Sequence, residues 1–406
     1  MAVVIRIILL RAWRIPGVIF RGFFRWLLLV EDYVVRMRRR TITRRTLAII
    51  RMDAIGDFVL WLDAASALCA KYPRPAYRVT LIANTVWADL AESSGLFDDV
   101  IRLSRDNLTG SLLYRWKMLS SIRKRGFESV IHPTYSRDFL YSDAIVHVSG
   151  ALERIGYSGD LSNMRRWQQQ LSDRWYTRLI PASAQPCMEL TRNADFVRSL
   201  GCVDFKANVP RLSVAQEPPR GHGAGSGKDY FVIFPGASWY GKRWPKECFV
   251  ELSQRIHRAT RWLVVVCGGN EDRKHNGEIV SRLRIPTEDW TGRTSLEELA
   301  ATLAHARLVV SNDTSAVHLA VATNCPVVCV VGGGHYGRFV PYETEGVSPR
   351  AMPIPVTHKM DCFNCNWQCV YDVRANEAVP CIANVSVDDV WYAVEQQLHA
   401  VTRAVE

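Results

Sequence analysis

Leu308-Val309-Val310-Ser311-Asn312-Asp313-Thr314-Ser315-Ala316-Val317-His318 is the stretch of sequence that decides the fold. The run 308–311 predicts a buried strand, and the residues after it predict a helix over 316–323. The junction places small hydroxyl side chains and free backbone N–H groups at a helix N-terminus, where an anion binds favourably. A capping role for Asp313 and a packing role for His318 are the alternative explanation.

The same alternation of short apolar runs and helical patterns continues on both sides of this stretch, which is typical of parallel sheets wrapped by helices. It forms two blocks, and we predict two Rossmann-like domains that face each other across a cleft, with ligand sites at the carboxyl ends of strands. The predicted segments are a basic N-terminal segment (1–45), a first domain (46–215), a Pro/Gly-rich linker (216–228) and a second domain (229–406). The region 159–186 is predicted to be irregular.

Positive charge is concentrated at one end of the 406-residue chain. The formal net charge is +11, and residues 1–45 hold eleven arginines against Glu31 and Asp32, a local charge of +9 that leaves +2 for the remainder. Nucleic-acid binding needs positive charge along the folded body, because the phosphate backbone supplies most of the affinity. The nearly neutral body therefore argues against a nucleic-acid partner.

The N-terminal segment is apolar, but arginine interrupts each apolar run before it reaches the roughly 18 residues that a membrane span needs. Five arginines fall in about one quarter of a helical wheel (Arg11, Arg14, Arg21, Arg25, Arg36). This pattern favours a helix that lies on an anionic membrane surface. A helix that packs on the body or on another subunit is the alternative, and a cleaved signal peptide is less favoured. Pro16-Gly17 is predicted to break the helix.

Two further strand-to-helix junctions carry unusual residues. Arg51-Met52-Asp53-Ala54-Ile55-Gly56-Asp57 follows the first strand and places Asp57 at a helix start, as a catalytic group or as a capping residue. Pro235-Gly236-Ala237-Ser238-Trp239-Tyr240-Gly241-Lys242-Arg243-Trp244-Pro245 precedes a helix. There Ser238, Lys242 and free N–H groups could converge on a phosphate, the alternative being a surface Lys-Arg pair.

These segments resemble the heptosyltransferase family of inverting glycosyltransferases, glycosyltransferase family 9, which has the GT-B fold and assembles the inner core of lipopolysaccharide. The resemblance covers about residues 46–400 and rests on 51–60, 235–245, 290–299 and 311–320, with 332–342 similar to the stretch that follows. Four motifs in the family's order make a specific match. The chain departs from the family at Ser315, where the family usually has glycine.

The resemblance implies a role for each matching residue. Asp57 would be the general base, Lys242 would neutralise the leaving diphosphate, and Asp313 would orient the transferred sugar. The remaining donor contacts implied are Ser238, Thr294, Thr314, Ser315 and the bracing His318, with either Glu271 or Asp272 holding the ribose. Arg137 is a candidate contact for an acceptor phosphate. No metal is expected to be needed for catalysis.

The resemblance favours ADP-heptose as donor and lipopolysaccharide or another lipid-linked acceptor, and it implies a peripheral location on the inner face of the cytoplasmic membrane. A different nucleotide sugar, or a polysaccharide or protein acceptor, would keep the same fold. A scaffold that binds nucleotide sugars without turnover is the alternative from another class, and a GT-B-like epimerase is a more distant one.

Four of the eleven cysteines form a cluster, Cys362-x2-Cys365-x3-Cys369 followed by Cys381. This spacing is typical of a tetrahedral structural zinc or iron site, and we predict no catalytic role for it. Two disulfides or four free thiols are the alternatives. The other seven cysteines are scattered, several of them in apolar runs, which argues against a secreted disulfide scaffold.

Overall fold

The computed structural model describes residues 14–183, 187–214, 228–345 and 352–403. The chain divides into two compact units. The first comprises residues 1–53 and 69–182, and the second comprises residues 54–68 and 183–406. In this division the chain passes into the second unit at residue 183, ahead of the predicted linker at 216–228, and residues 54–68 also belong to the second unit. In the described part of the chain, no helix is both long and apolar enough to span a bilayer.

The first unit contains a parallel six-stranded sheet with the strand order β3-β2-β1-β4-β5-β6. Its strands are β1 (Thr43–Arg51), β2 (Arg78–Asn84), β3 (Asp99–Leu103), β4 (Phe127–His132), β5 (Glu153–Tyr157) and β6 (Arg178–Ile180). The helices of this part of the chain are α1 (Arg14–Met37), α2 (Ile55–Lys71, grouped with the second unit as far as Leu68), α3 (Ala88–Ser93), α4 (Arg105–Gly110), α5 (Leu112–Arg125), α6 (Ser142–Ser149) and α7 (Arg166–Asp173).

The second unit contains a second parallel six-stranded sheet, with the order β12-β11-β10-β7-β8-β9. Its strands are β7 (Tyr230–Phe234), β8 (Leu263–Val266), β9 (Thr287–Asp289), β10 (Leu308–Asn312), β11 (Val327–Val330) and β12 (Ile354–Val356). Its further helices are α8 (Glu189–Ser199), α9 (Lys246–Thr260), α10 (Arg273–Arg282), α11 (Leu296–His305), α12 (Ser315–Ala322), α13 (Pro380–Ala383) and α14 (Val387–Arg403).

Continuous apolar strands explain why each sheet is buried on both faces. In β1 the residues from Leu47 to Arg51 are all buried, and β10 and β11 are buried along their whole length. Parallel strands covered by helices on both sides read as such unbroken apolar runs. Two parallel α/β sheets confirm the predicted fold class.

The apolar runs that predict strands in the sequence are 46–50, 78–82, 100–103, 129–131, 230–234, 262–266, 308–311 and 326–331. The strands without such a run, β5, β6, β9 and β12, lie at or near the sheet edges. β6, β9 and β12 have three residues each and occupy or neighbour an edge, and β5 is the second strand from an edge. A run of three residues is too short for a strand pattern to be recognised, whatever its composition. The prediction that 159–186 is irregular is therefore wrong for β6 and for the helix α7.

Helix α1 is continuous from Arg14, so the predicted break at Pro16-Gly17 is wrong. The inner face of α1 is anchored by Asp32, which is 1% exposed and forms a two-pronged ion pair with Arg115 at 2.7 Å. The helix therefore packs on the first unit.

The outer face of α1 is apolar. Its exposed large side chains recur at helical spacing (Trp26, Val30, Tyr33, Val34, Met37). Arg36, which belongs to the predicted arginine sector, is partly buried, and burial lowers the pKa of its guanidinium. The predicted linker 216–228 and the first thirteen residues lie outside the described residues, apart from the residue at 228.

Candidate functional site

A cavity of about 430 Å³ in the second unit gathers the three junctions that sequence analysis singled out. In the second sheet β7 and β10 are neighbours, and the chain continues from β7 to β8 on one side and from β10 to β11 on the other. Such a change of direction opens a crevice at the carboxyl ends of the strands. The predicted residues that line the cavity are Asp57, Ser238, Lys242, Glu271, Asp272, Thr294, Asp313, Thr314, Ser315 and His318.

Asn312 joins two of these loops. Its side-chain N–H donates to the carbonyl oxygens of Pro235 (2.7 Å) and Gly236 (3.3 Å), and its side-chain oxygen accepts from the Trp244 N–H at 3.0 Å. The side chain is fully buried. Because buried hydrogen bonds of this kind hold loops firmly, Asn312 fixes the segment that carries Lys242 relative to the end of β10.

Lys242, Asp313 and Asp57 form the charged part of the cavity. Burial lowers the pKa of the Lys242 ammonium, and the nearby carboxylates of Asp313 and Asp57 oppose that effect. Burial raises the pKa of Asp313, and Lys242 opposes this in turn. The three groups therefore interact electrostatically in one partly desolvated space. A charged ligand in this space would interact strongly with them.

Asp57 lies in the first turn of α2 and also caps that helix. Its Oδ2 accepts a hydrogen bond from the Ala54 N–H at 3.3 Å. The capping role and a place in the cavity are thus combined in one side chain. A carboxylate at this helix end is further stabilised by the helix dipole.

The N-terminus of α12 contributes hydroxyl and N–H groups. Thr314 is the N-cap, and its Oγ1 accepts from the Ala316 N–H at 3.3 Å and lies 3.2 Å from the Ser311 Oγ. Ser315 is the first residue of the helix, and its φ is not positive. The backbone therefore does not require the glycine that the family usually has at this position.

His318 is buried, and it packs against the first turn of α2. Its Nδ1 lies 2.8 Å from the hydroxyl of Tyr342, and the two rings are stacked. A Cβ on Gly56 would come within 2.7 Å of the imidazole, so only glycine fits there. Burial lowers the pKa of His318 to about 4, which keeps the imidazole neutral at physiological pH.

The structure separates the two candidates for the ribose contact. Asp272 is 4% exposed, pairs with Arg243 at 2.9 Å and accepts from the Gly269 N–H at 3.1 Å. Glu271 is exposed at the cavity wall. Asp272 is thus occupied in holding its own loop, while the Glu271 carboxylate is available to a ligand.

The cavity also has apolar walls that sequence analysis did not predict, formed by Phe234, Leu296, Leu299 and Phe339. These side chains are indistinguishable from core residues in the sequence, because apolar periodicity does not show which positions face a cavity. Phe339 could have been found, since it lies in the stretch 332–342 that resembles the family.

Arg137 is placed differently from the prediction. It is fully buried in the first unit, where it pairs with Asp173 and lies 4.9 Å above the Tyr176 ring. The carboxylates of Asp143 and Asp173 hold the pKa of this guanidinium above its usual range, against the effect of burial. A buried and paired side chain is at odds with the predicted contact to an acceptor phosphate.

The four clustered cysteines share one small cavity, of about 10 Å³, in the second unit. All four are free thiols, so the two-disulfide alternative is not what the structure contains. The Gly333 N–H approaches the Cys381 sulfur at 3.4 Å. Within the described ranges, no three His, Cys, Asp or Glu side chains are arranged to hold a metal ion. The predicted metal site stays a prediction.

The two parallel α/β sheets and a ligand-sized cavity at the ends of β7 and β10 define the class, a GT-B glycosyltransferase fold. The sequence model of glycosyltransferase family 9 (heptosyltransferase) matches residues 115–369, more than half of the chain. The chain therefore belongs to glycosyltransferase family 9.

Individual relatives are distant. Lipopolysaccharide heptosyltransferase 2 of Escherichia coli K12 is 30% identical over 125 residues, which is 30% of this chain and 34% of that protein. The aligned segment thus spans about a third of that relative. A family 9 glycosyltransferase of Veillonella parvula superposes with a TM-score of 0.71 at 16% identity, covering 89% of this chain and 99% of that one.

Two further solved structures share the fold. The ADP-heptose lipopolysaccharide heptosyltransferase II of E. coli superposes with a TM-score of 0.64 at 17% identity, over 88% of this chain and 99% of that one. The iron-containing dodecameric glycosyltransferase TibC of enterotoxigenic E. coli gives a TM-score of 0.53 at 12% identity, over 90% and 81%.

Proposed function

We propose that this protein is an inverting glycosyltransferase that moves a heptose or similar sugar from a nucleotide donor, with ADP-heptose favoured, to lipopolysaccharide or another lipid-linked acceptor. Family membership and the names of the relatives support the donor and the acceptor. The observation that carries the proposal is that Lys242, Asp313 and Asp57 line one cavity together with the N-terminus of α12.

In this proposal the donor diphosphate binds beside the Lys242 ammonium and the N-terminus of α12. The Lys242 ammonium and the free N–H groups at the start of α12 neutralise the charge that develops on the leaving diphosphate. Ser238 and Thr314 add hydroxyl donors, and Thr294 lies on the same wall. Because these groups supply the charge compensation, no divalent metal is required for transfer.

Asp57 acts as the general base in this proposal. It accepts the proton of the acceptor hydroxyl while the hydroxyl oxygen attacks the anomeric carbon on the side opposite the diphosphate. The bond between that carbon and the diphosphate oxygen breaks, and the anomeric configuration inverts. Asp313 orients the transferred sugar, and Glu271 accepts hydrogen bonds from the ribose hydroxyls.

Exchanging Asp57 for asparagine tests the mechanism and separates it from the scaffold alternative. Asp57→Asn keeps the size of the side chain but removes the base, so transfer should fall at least 100-fold while donor affinity changes little. Transfer is measured from radiolabelled ADP-heptose to purified acceptor lipopolysaccharide, and affinity by calorimetry. Undiminished transfer would refute the general-base role. If the unaltered protein binds the donor yet transfers to no acceptor, the scaffold alternative is supported instead.

The acceptor side of the proposal includes a membrane. The exposed apolar side chains of α1 and the local charge of +9 in residues 1–45 fit an anionic lipid surface. Of the predicted arginine sector, Arg25 is exposed and Arg36 is partly buried, so the described part of the helix presents at least one arginine beside its exposed apolar side chains. The proposed location is the inner face of the cytoplasmic membrane.

The four cysteines are proposed to hold a structural zinc or iron ion. Their spacing, the small cavity they share and the fold shared with an iron-containing glycosyltransferase support this. Cys362, Cys365, Cys369 and Cys381 would be the ligands once the side chains draw together. Such an ion would cross-link the loop and take no part in transfer.

A further inference from the structure

The four clustered cysteines lie in residues 362–381, which we call the cysteine-bearing segment. Through one aromatic ring this segment contacts Lys242, which lines the cavity. Trp367 lies between Cys365 and Cys369 in the sequence, and the Lys242 Nζ is 4.3 Å from the centroid of its ring. An ammonium at this distance from an indole ring is attracted by the negative face of the π system. The lysine and the tryptophan are 125 positions apart, so only the fold brings them together.

Trp367 is itself held on several sides. Its ring Nε1 donates to the His335 Nδ1 at 3.3 Å, and its ring meets that of Trp239 edge-on with 6.0 Å between the centroids. A Cβ on Gly334 would come within 2.3 Å of the indole, so the ring lies directly against that backbone. The orientation of the indole is therefore fixed by its surroundings.

The backbone of the segment is fixed as well. Asn364 and Asn366 donate their N–H groups to the carbonyls of Gly333 (2.7 Å) and Gly334 (3.0 Å). Trp367 has a φ of +59°, a left-handed conformation that a tryptophan adopts only when its surroundings impose it.

The far side of the segment touches the lysine loop too. The Val379 N–H, two residues before Cys381, donates to the Gly241 carbonyl at 3.0 Å. Gly241 directly precedes Lys242, so the cysteine-bearing segment meets this loop at the backbone and at the side chain.

We propose that Trp367 is a positioning residue that fixes the Lys242 ammonium for the donor diphosphate, so that the cysteine-bearing segment supports donor binding through this ring. Burial takes water away from the ammonium, and the indole face replaces part of the lost solvation. The inference rests on the proposed role of Lys242 as the group that neutralises the diphosphate.

The test compares ligands with and without the diphosphate. Calorimetry with ADP and with adenosine is carried out on the full chain and on Trp367→Ala, Trp367→Leu, Trp367→Phe and Lys242→Ala. Trp391→Ala is the matched control. The Trp391 ring also makes a cation–π contact, with the Arg255 Cζ 4.8 Å from its centroid, but it is not among the residues that line the cavity. Circular dichroism confirms that each variant is folded, and Trp367→Leu replaces Trp367→Ala if the latter is not.

We expect Trp367→Ala and Trp367→Leu to weaken ADP binding about tenfold and to leave adenosine binding unchanged. Trp367→Phe should recover most of the affinity, since it keeps a π face. In the double variant with Lys242→Ala, the loss should be no greater than with Lys242→Ala alone, because both act through one ammonium.

Three outcomes would contradict this. The positioning role alone would be overturned if a Trp367 variant lost equal affinity for ADP and for adenosine. It would also be overturned if Lys242→Ala lowered the affinity for ADP while Trp367→Leu left it unchanged. ADP affinity that Lys242→Ala itself leaves unchanged would overturn the proposed role of the lysine and this inference with it.

Discussion

At the scale of single residues, the cavity depends on side chains whose ionisation is set by burial. His318 is the clearest case, because it is 4% exposed and its Nδ1 is 2.8 Å from the Tyr342 hydroxyl. A neutral imidazole packs against Gly56, where an imidazolium would lose hydration without gaining a counter-charge. The neutral, buried side chain fits the bracing role that the resemblance implies for His318.

This burial predicts a pH dependence of stability. The pKa of His318 is about 4 in the folded protein and about 6.5 in the unfolded chain, so below pH 6.5 the unfolded state binds the extra proton. The contribution of His318 to the free energy of unfolding is therefore complete above pH 6.5 and is lost at up to ~1.4 kcal/mol per pH unit as the pH falls toward 4.

His318→Gln should reduce the slope of the free energy of unfolding against pH by the equivalent of about one bound proton. The free energy is measured by urea unfolding between pH 4 and 7.5. Exposed His399 is the control position for the same substitution. An unchanged slope in His318→Gln would contradict the assignment. His147 and His275, whose pKa values burial also lowers to about 4, would keep a residual slope in either variant.

At the scale of elements, α1 combines a buried face with an exposed one. Leu28, Asp32 and Val35 are buried, whereas Trp26 and Met37 are 56% and 76% exposed. An exposed apolar stripe on a soluble surface is unfavourable unless something covers it, and a lipid interface suits tryptophan well. The helix thus has one face buried within the first unit and one exposed apolar face, which we propose lies against a lipid surface.

We expect Trp26→Gln with Met37→Gln to reduce binding to vesicles by about tenfold, because two interfacial side chains are lost. Binding is measured by sedimentation with vesicles of equal parts phosphatidylglycerol and phosphatidylcholine, and with phosphatidylcholine alone. Tyr392→Gln, at a side chain 65% exposed on α14, is the control. Equal binding of the variant and the unaltered protein would refute membrane docking through this face, and concentration-dependent self-association that the variant abolishes would favour a subunit contact.

The cysteine-bearing segment is the second element with a role of its own. We expect elemental analysis of the purified protein to find about one iron or zinc per chain, because four thiolates satisfy one tetrahedral ion. Cys365→Ser should lose that metal, and Cys187→Ser, which changes a thiol outside the cluster, should retain it. A metal-free protein that is fully folded would show that the four residues act as thiols.

At the scale of the whole molecule, two sheets of the same kind have different roles. The loops after β7 and β10 of the second sheet surround the cavity, and in the first unit α5 holds α1 through the buried pair of Arg115 and Asp32. Both sheets follow from unbroken apolar strands, which is why the order of elements could be predicted from the chain. The family model matches residues 115–369, so the match begins after α1.

The sequence by itself determined the fold class and the loops that carry Asp57, Lys242 and Asp313, because strand and helix patterns and capping residues depend on neighbours along the chain. Only the tertiary structure decided that Arg137 is internal, that Glu271 rather than Asp272 is exposed to the cavity, and that Trp367 lies over Lys242. Burial and contact are set by residues far apart in sequence, so no local pattern encodes them.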